Sequence, residues 1–174
     1  LDNPLLAAIL GLTSVLSVRL LIVLNNFIIA MHHRGPVPDR YRLSWPQRLS
    51  LFFGEARASL TMSSWTMPFR RFRKRSAIQP RGLPVLLIHG YGCNSGYWRS
   101  MSKTLHAEGI THHAVDMEPV FGSINEYVPC IHAAIEELCR DSGSRQVILL
   151  AHSMGGLAAR AYLRDHGPDR VAKV

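Results

Sequence analysis

The residues best suited to chemistry are Ala151-His152-Ser153-Met154-Gly155-Gly156, a serine among small residues where an apolar run gives way to a helical pattern. Reversing the chain within a few residues strains the backbone at the serine and crowds the positions two before and two after it, so both must be small. Ala151 and Gly155 meet that need. The pattern predicts a nucleophile elbow, with Ser153 Oγ projecting above the C-terminal edge of a sheet. The first amides of the next helix, Met154 foremost, would face the same space and can bind an oxyanion. A serine that only N-caps an ordinary helix explains Ser153 but not the small residues around it. His152 adjoins the serine, and the tight turn is expected to send its ring away from Oγ.

A second constellation, His89-Gly90-Tyr91-Gly92, ends the apolar run Val85–Ile88. Its glycines allow a sharp turn that exposes amides, so the N–H of Tyr91 is the expected partner of the Met154 amide in an oxyanion hole. His89 is expected to tie this loop by hydrogen bonds. It precedes the serine and belongs to the loop, so it is not the candidate general base. The remaining histidines, including His112-His113, lack the carboxylate pairing of a metal site and read as packing or surface residues. Cys93, Cys130 and Cys139 form neither a C-x-x-C pair nor a disulfide framework, and the last two fall on opposite faces of one helix. No metal and no cofactor are expected.

These residues need strands and helices in alternation to position them. Val85–Ile88, 110–115, 146–150 and 170–174 read as strands, the first a continuous apolar run that suggests burial on both faces. Between them, 97–108, 123–140 and 154–165 have helical spacing, with Gly109 and Gly167-Pro168 as stops and Ser123/Glu126 as a capping box. Pro129 either delays the second of these helices or kinks its first turns. The resulting β-α-β-α-β-α-β order predicts an α/β fold, a mostly parallel sheet with helices on both faces.

Nothing in residues 1–83 repeats this alternation, and the charge divides at the same point. Residues 1–83 hold twelve Lys/Arg against three Asp/Glu, whereas 84–174 hold eight against nine, so the net +8 is entirely N-terminal. Leu5–Met31 carries Arg19 as its only formal charge. At about 1.5 Å per residue it is long enough to cross a hydrocarbon core of about 30 Å, and a buried helix or a signal-like segment are the other readings. The expected organisation is a membrane segment at 1–31, a basic juxtamembrane region at 32–83 and a catalytic region at 84–174. Arg34, Arg40, Arg42 and Arg48 follow the apolar segment, which by the positive-inside tendency favours a cytoplasmic side for what comes next. Five of the six residues 70–75 are basic, with Trp65 and Phe69 just upstream. They read as a headgroup-level anchor or a solvated linker, and nucleic-acid binding is not expected.

The runs VLLIHGYG (85–92), EPVFGSI (118–124), VILLAHSMGGLAARAYL (147–163) and HGPDRVAKV (166–174) resemble bacterial lipases and esterases of the α/β-hydrolase superfamily. The superfamily elbow usually begins with Gly; Ala151 stands there, as in some Bacillus-type lipases. The resemblance implies a serine hydrolase of carboxylic esters, with Ser153 as nucleophile, a histidine as base and an acid orienting it, in the chain order Ser, Asp, His. Asp165, His166 and Asp169 lie on the elbow helix or its exit, too far from Ser153 to serve. The chain, which starts at Leu1 and stops in an apolar strand, therefore reads as a fragment. Its acid and histidine are expected beyond Val174, and the 174 residues alone are expected to be inactive and poorly folded. An ester or lipid substrate and a bacterial inner membrane follow as expected partners. A thioesterase or acyltransferase on the same scaffold, or a non-catalytic membrane-attached binding protein, stays open.

Overall fold

The computed structural model describes residues 3–33, 35–36, 38–77 and 79–174, so Arg34 of the basic flank lies outside it. The chain forms two compact units, Leu1–Thr61 and Met62–Val174. In the first, α1 (Pro4–His32) is a helix with mean hydropathy 2.3 over its most apolar stretch, and none of that stretch is buried. Asn3 Oδ1 accepts the N–H groups of Leu5 (3.0 Å) and Leu6 (3.2 Å), and Pro4 occupies the first turn, where its missing donor costs nothing. Helix α2 (Trp45–Thr61) packs on α1, with Phe52 edge-on to Phe27 at 5.7 Å.

The second unit starts with a π-helical turn (Met62–Thr66), the short helix α3 (Met67–Phe69) and the two-residue strand β1 (Lys74–Arg75). Then follow β2 (Val85–Ile88), α4 (Arg99–Ala107), β3 (His112–Val115), α5 (Val128–Ser142), β4 (Val147–Ala151), α6 (Met154–His166) and β5 (Val171–Lys173). The sheet order is β1-β3-β2-β4-β5. Strand β2 is parallel to β3 and β4, β4 is parallel to β5, and only β1 is antiparallel, on β3. The expected α/β architecture with a mostly parallel sheet is the one formed.

Alternation along the strands assigns the faces. Leu86, Ile88, Val147 and Leu149 join one core with Ile131, Ile135 and Leu138 of α5 and Ala158, Ala159 and Tyr162 of α6. Val85, Leu87, Ile148 and Leu150 face the other way, onto Trp98, Leu105 of α4 and Phe72. Leu86, Leu87 and Ile88 are all 0% exposed, and each contributes roughly 1.5–3 kcal/mol by burial. Pro129 proves to delay a helix. The Ser123/Glu126 capping box closes a 3-10 turn (Ile124–Tyr127), and α5 begins after it with Pro129 in its first turn, where no hydrogen bond is lost.

Part of the basic run 70–75 is paired with acids of the second unit. Arg73 pairs with Glu137 at 2.6 Å and Lys74 with Asp141, both acids on α5, while Arg71 approaches Glu118 at 4.0 Å. Arg73 and Lys74 thus turn their charge onto acidic residues of their own unit. The hydrogen bond from Lys74 is the main cause that holds the Asp141 carboxyl below its ordinary value.

Candidate active site

The register of the sheet sets the site. Ile88, the last residue of β2, pairs with Ala151, the last of β4, so the chain segments that follow them leave the sheet side by side. From β2 the chain crosses to β3 on one side and from β4 to β5 on the other, a topological switch point that opens a crevice at the carboxyl ends of the strands. His89–Gly92 and His152–Gly155 form its two walls.

Ser153 has φ 54° and ψ −123°, and among the described residues it is the one non-glycine with positive φ. Such a conformation costs about 1–3 kcal/mol. Tight packing beneath it holds the turn in place. A Cβ on Gly155 would stand 2.5 Å from the carbonyl oxygen of His89 and 2.6 Å from that of Ile88, so helix α6 can start against β2 only if that residue is glycine. A Cβ on Gly90 would meet His152 Nδ1 at 3.0 Å and Ser153 Cβ at 3.2 Å. Gly156 has open space where its Cβ would be, so its size is not demanded. Gly92 adopts φ 65°, within the turn closed by the hydrogen bond from the Cys93 N–H to Gly90 O (3.2 Å).

Ser153 is exposed, and no described residue hydrogen-bonds its hydroxyl. The amides of Gly155 and Gly156 donate back to His152 O and Ser153 O, each at 2.9 Å. That leaves Met154, the first residue of α6, whose N–H has no intrahelical acceptor. Tyr91, on the turn after β2, is 62% exposed, and its ring lies 5.6 Å from that of Phe121. Leu157 on α6 is half exposed.

His89 is buried, and its ring is committed to the loop. The N–H of Met117 donates to Nε2 (3.1 Å), so that nitrogen carries no proton, and Nδ1–H donates to Gly90 O (2.9 Å). Asp116 Oδ1 lies 3.9 Å from Nε2, but an imidazole accepting at that atom is neutral and the approach is no ion pair. His152 donates its backbone N–H to Ile88 O (3.0 Å), and its ring stacks on Tyr97 at 4.6 Å. Asp165 is bound by Arg164 at 2.6 Å, and His166 stacks on His132 at 4.1 Å, at the far end of α6. Twelve residues along a helix is about 18 Å, out of reach of Ser153. Among the described residues, no cluster of three His, Cys, Asp or Glu side chains is placed to hold a metal.

Reading the sequence did not single out Asp116 or Ser95. The Asp116 carboxylate accepts both the N–H and the hydroxyl (3.2 Å) of Ser95 and so ties the end of β3 to the loop after β2. The signal for it was a lone acid directly after an apolar strand.

A family model described as the alpha/beta hydrolase fold matches residues 84–174. The chain is 31% identical over 99 residues to a (lyso)-N-acylphosphatidylethanolamine lipase of Bos taurus, a match over 51% of this chain and 28% of the relative. It is 32% identical over 87 residues to a pimeloyl-[acyl-carrier protein] methyl ester esterase of Yersinia enterocolitica, over 50% of this chain and 33% of the relative. The chain thus spans about a third of the length of these curated relatives or less. Among solved structures, an epoxide hydrolase of Vigna radiata aligns with 25% identity and a TM-score of 0.45, over 58% of this chain and 37% of the other. With a family match that runs from the start of β2 through the elbow to β5, the chain belongs to the alpha/beta hydrolase fold family.

Proposed function

We propose that the protein is a serine hydrolase of carboxylic esters that works through an acyl-enzyme on Ser153. The observation that carries this reading is the strained backbone of Ser153, which presents an unengaged hydroxyl between two loops at the carboxyl edge of the sheet. Strain at one exposed polar residue, supported by a glycine that tolerates no Cβ, is a feature of functional sites.

In the reaction Ser153 Oγ bonds to the ester carbonyl carbon and its proton passes to a base. The amides of Tyr91 and Met154 donate to the oxyanion that forms, and such a donor supplies about 100- to 1,000-fold. The bond to the alcohol oxygen then breaks, with the proton returned to that oxygen, and water repeats the sequence to release the acid. His89 and His152 are not the base: one accepts the Met117 amide, the other stacks on Tyr97. Among the described residues no other histidine ring is placed to take the Ser153 proton. Tyr91 and Phe121 offer an apolar rim to the acyl or alcohol portion of the substrate. The named substrates of the two curated relatives, an N-acylphospholipid and a methyl ester, favour an ester or lipid over other acyl compounds.

Helix α1 is long and apolar enough to anchor the protein in a membrane, and Arg40, Arg42 and Arg48 after it favour the cytoplasmic side for the hydrolase by the positive-inside tendency. Residues 1–31 are then the membrane segment, 32–83 the basic connection and 84–174 the N-terminal part of the hydrolase domain. The test is hydrolysis of a p-nitrophenyl ester by the intact protein. A burst of p-nitrophenolate before steady turnover is expected, with Ser153→Ala lowering kcat/KM at least about 1,000-fold. Wild-type turnover by Ser153→Ala would overturn the reading.

A further inference from the structure

The loop that carries Tyr91 is held from a direction the reaction itself does not explain. Residues 62–72 precede the region matched to the family, yet they grip the end of this loop at three successive residues. Asn94 Nδ2–H donates to the Met67 carbonyl oxygen (3.0 Å), while Asn94 Oδ1 accepts the N–H of Gly96 (2.9 Å) and starts the next helical turn. The Ser95 hydroxyl accepts the N–H of Phe72 (3.1 Å) and donates to Asp116 (3.2 Å), and the serine is wholly buried. At Gly96 the contact is backbone on backbone: a Cβ there would overlap the Thr66 carbonyl oxygen and stand 2.7 Å from Met67 Cα.

Each of these contacts uses main-chain atoms of 66–72, so their worth depends on where that backbone runs and little on its side chains. Two residues separate Tyr91 from Asn94, and Tyr91 itself sits in the turn closed by Cys93 N–H and Gly90 O. Fixing Asn94, Ser95 and Gly96 therefore fixes the far side of the turn, as His89 and its bonds to Gly90 and Met117 fix the near side. A turn pinned at both ends keeps its amide aimed without reorganisation when charge develops, which is the condition for an effective oxyanion donor.

We propose that residues 66–72 act as a brace for the oxyanion loop, with Asn94 and Gly96 as positioning residues for the reaction at Ser153. The inference rests on the serine-hydrolase reading above. It makes the helical turn and extended segment before the family's matched region a working part of the catalytic unit. Asn94 has two separable tasks. Asn94→Asp keeps the oxygen that caps Gly96 and nearly the same shape, but sets an oxygen against the Met67 carbonyl in place of a donor. Gly96→Ala drives the brace backbone away by sterics. Neither variant alters Ser153, Tyr91 or Met154.

The experiment measures, in the intact protein, the rate of covalent labelling of Ser153 by a fluorophosphonate together with kcat and KM for a p-nitrophenyl ester. Both variants are expected to label about 10- to 100-fold more slowly than wild type and to lose kcat by a similar factor, with KM changed less than about threefold. The thermal transition of Asn94→Asp is expected to remain cooperative, and Asn94→Gln, which restores a donor, is expected to recover part of the labelling rate. Wild-type labelling rates in a folded Asn94→Asp protein would overturn the brace while leaving the function intact. A wild-type protein whose Ser153 does not label would overturn both. If Gly96→Ala fails to fold, Asn94→Asp decides alone; a KM increase with kcat unchanged would also contradict the proposal.

Discussion

At the scale of single residues, the elbow can be tested by asking where a methyl group is tolerated. Gly155→Ala places a carbon against two carbonyl oxygens of the β2 end, and a loss of about 1–3 kcal/mol is expected in denaturant unfolding. Gly156→Ala, one position on and facing open space, is expected to change stability by less than about 1 kcal/mol and to the favourable side, since alanine is the better helix residue. Equal effects of the two substitutions would contradict the packing described. Ser153 allows a second comparison. Ser153→Gly and Ser153→Ala both remove the hydroxyl, but only glycine is at ease at φ 54°. The glycine variant is expected to be the more stable by about 1–3 kcal/mol, the measure of strain retained at the serine.

At the scale of elements, β3 carries two histidines inside the protein. His112 and His113 are 0% and 2% exposed, and burial is the leading cause that lowers the affinity of each for a proton below the ordinary value of 6.5. His112 Nδ1–H donates to Ile110 O (2.9 Å), and Ser102 Oγ lies 2.7 Å from Nε2. Because the unfolded chain binds these protons more readily, stability is full above pH about 6.5 and falls as pH is lowered from there toward the folded-state values. Urea unfolding at pH 7.5 and pH 5 is expected to show this loss, and His113→Leu to reduce its slope. An unchanged slope would show that His113 does not carry the effect.

The four strands and three helices from Val85 onward were legible because each is a short apolar run or a helical stripe bounded by glycine or proline. Strand β1 was not, since Lys74 and Arg75 have neither apolar character nor alternation; its place shows only in its pairing with His112 and His113 of β3 and in the contact of Lys74 with Asp141, 67 residues later. The tight, strained turn at Ser153 was legible in Ala151–Gly155, where a local steric rule governs. The contacts of 66–72 with the loop at 94–96 were not, because on the 66–72 side they use main-chain atoms, which leave no mark on residue type there.

At the scale of the whole molecule, attachment by apolar insertion is distinguished from attachment by charge through its response to salt. A bilayer-spanning α1 holds by apolar burial, so retention in the membrane fraction through high salt and alkaline carbonate is expected. Release of the intact chain by carbonate would show that α1 does not span. The 174-residue chain by itself is expected to give no ester turnover above its Ser153→Ala control, because no described histidine ring is placed to take the Ser153 proton. The central claim, that Ser153 is the nucleophile, is tested most directly by treating the intact protein with a fluorophosphonate and mapping the modified peptide by mass spectrometry. The account predicts one adduct, on Ser153, absent from Ser153→Ala; an adduct on another serine that persists in that variant would contradict it.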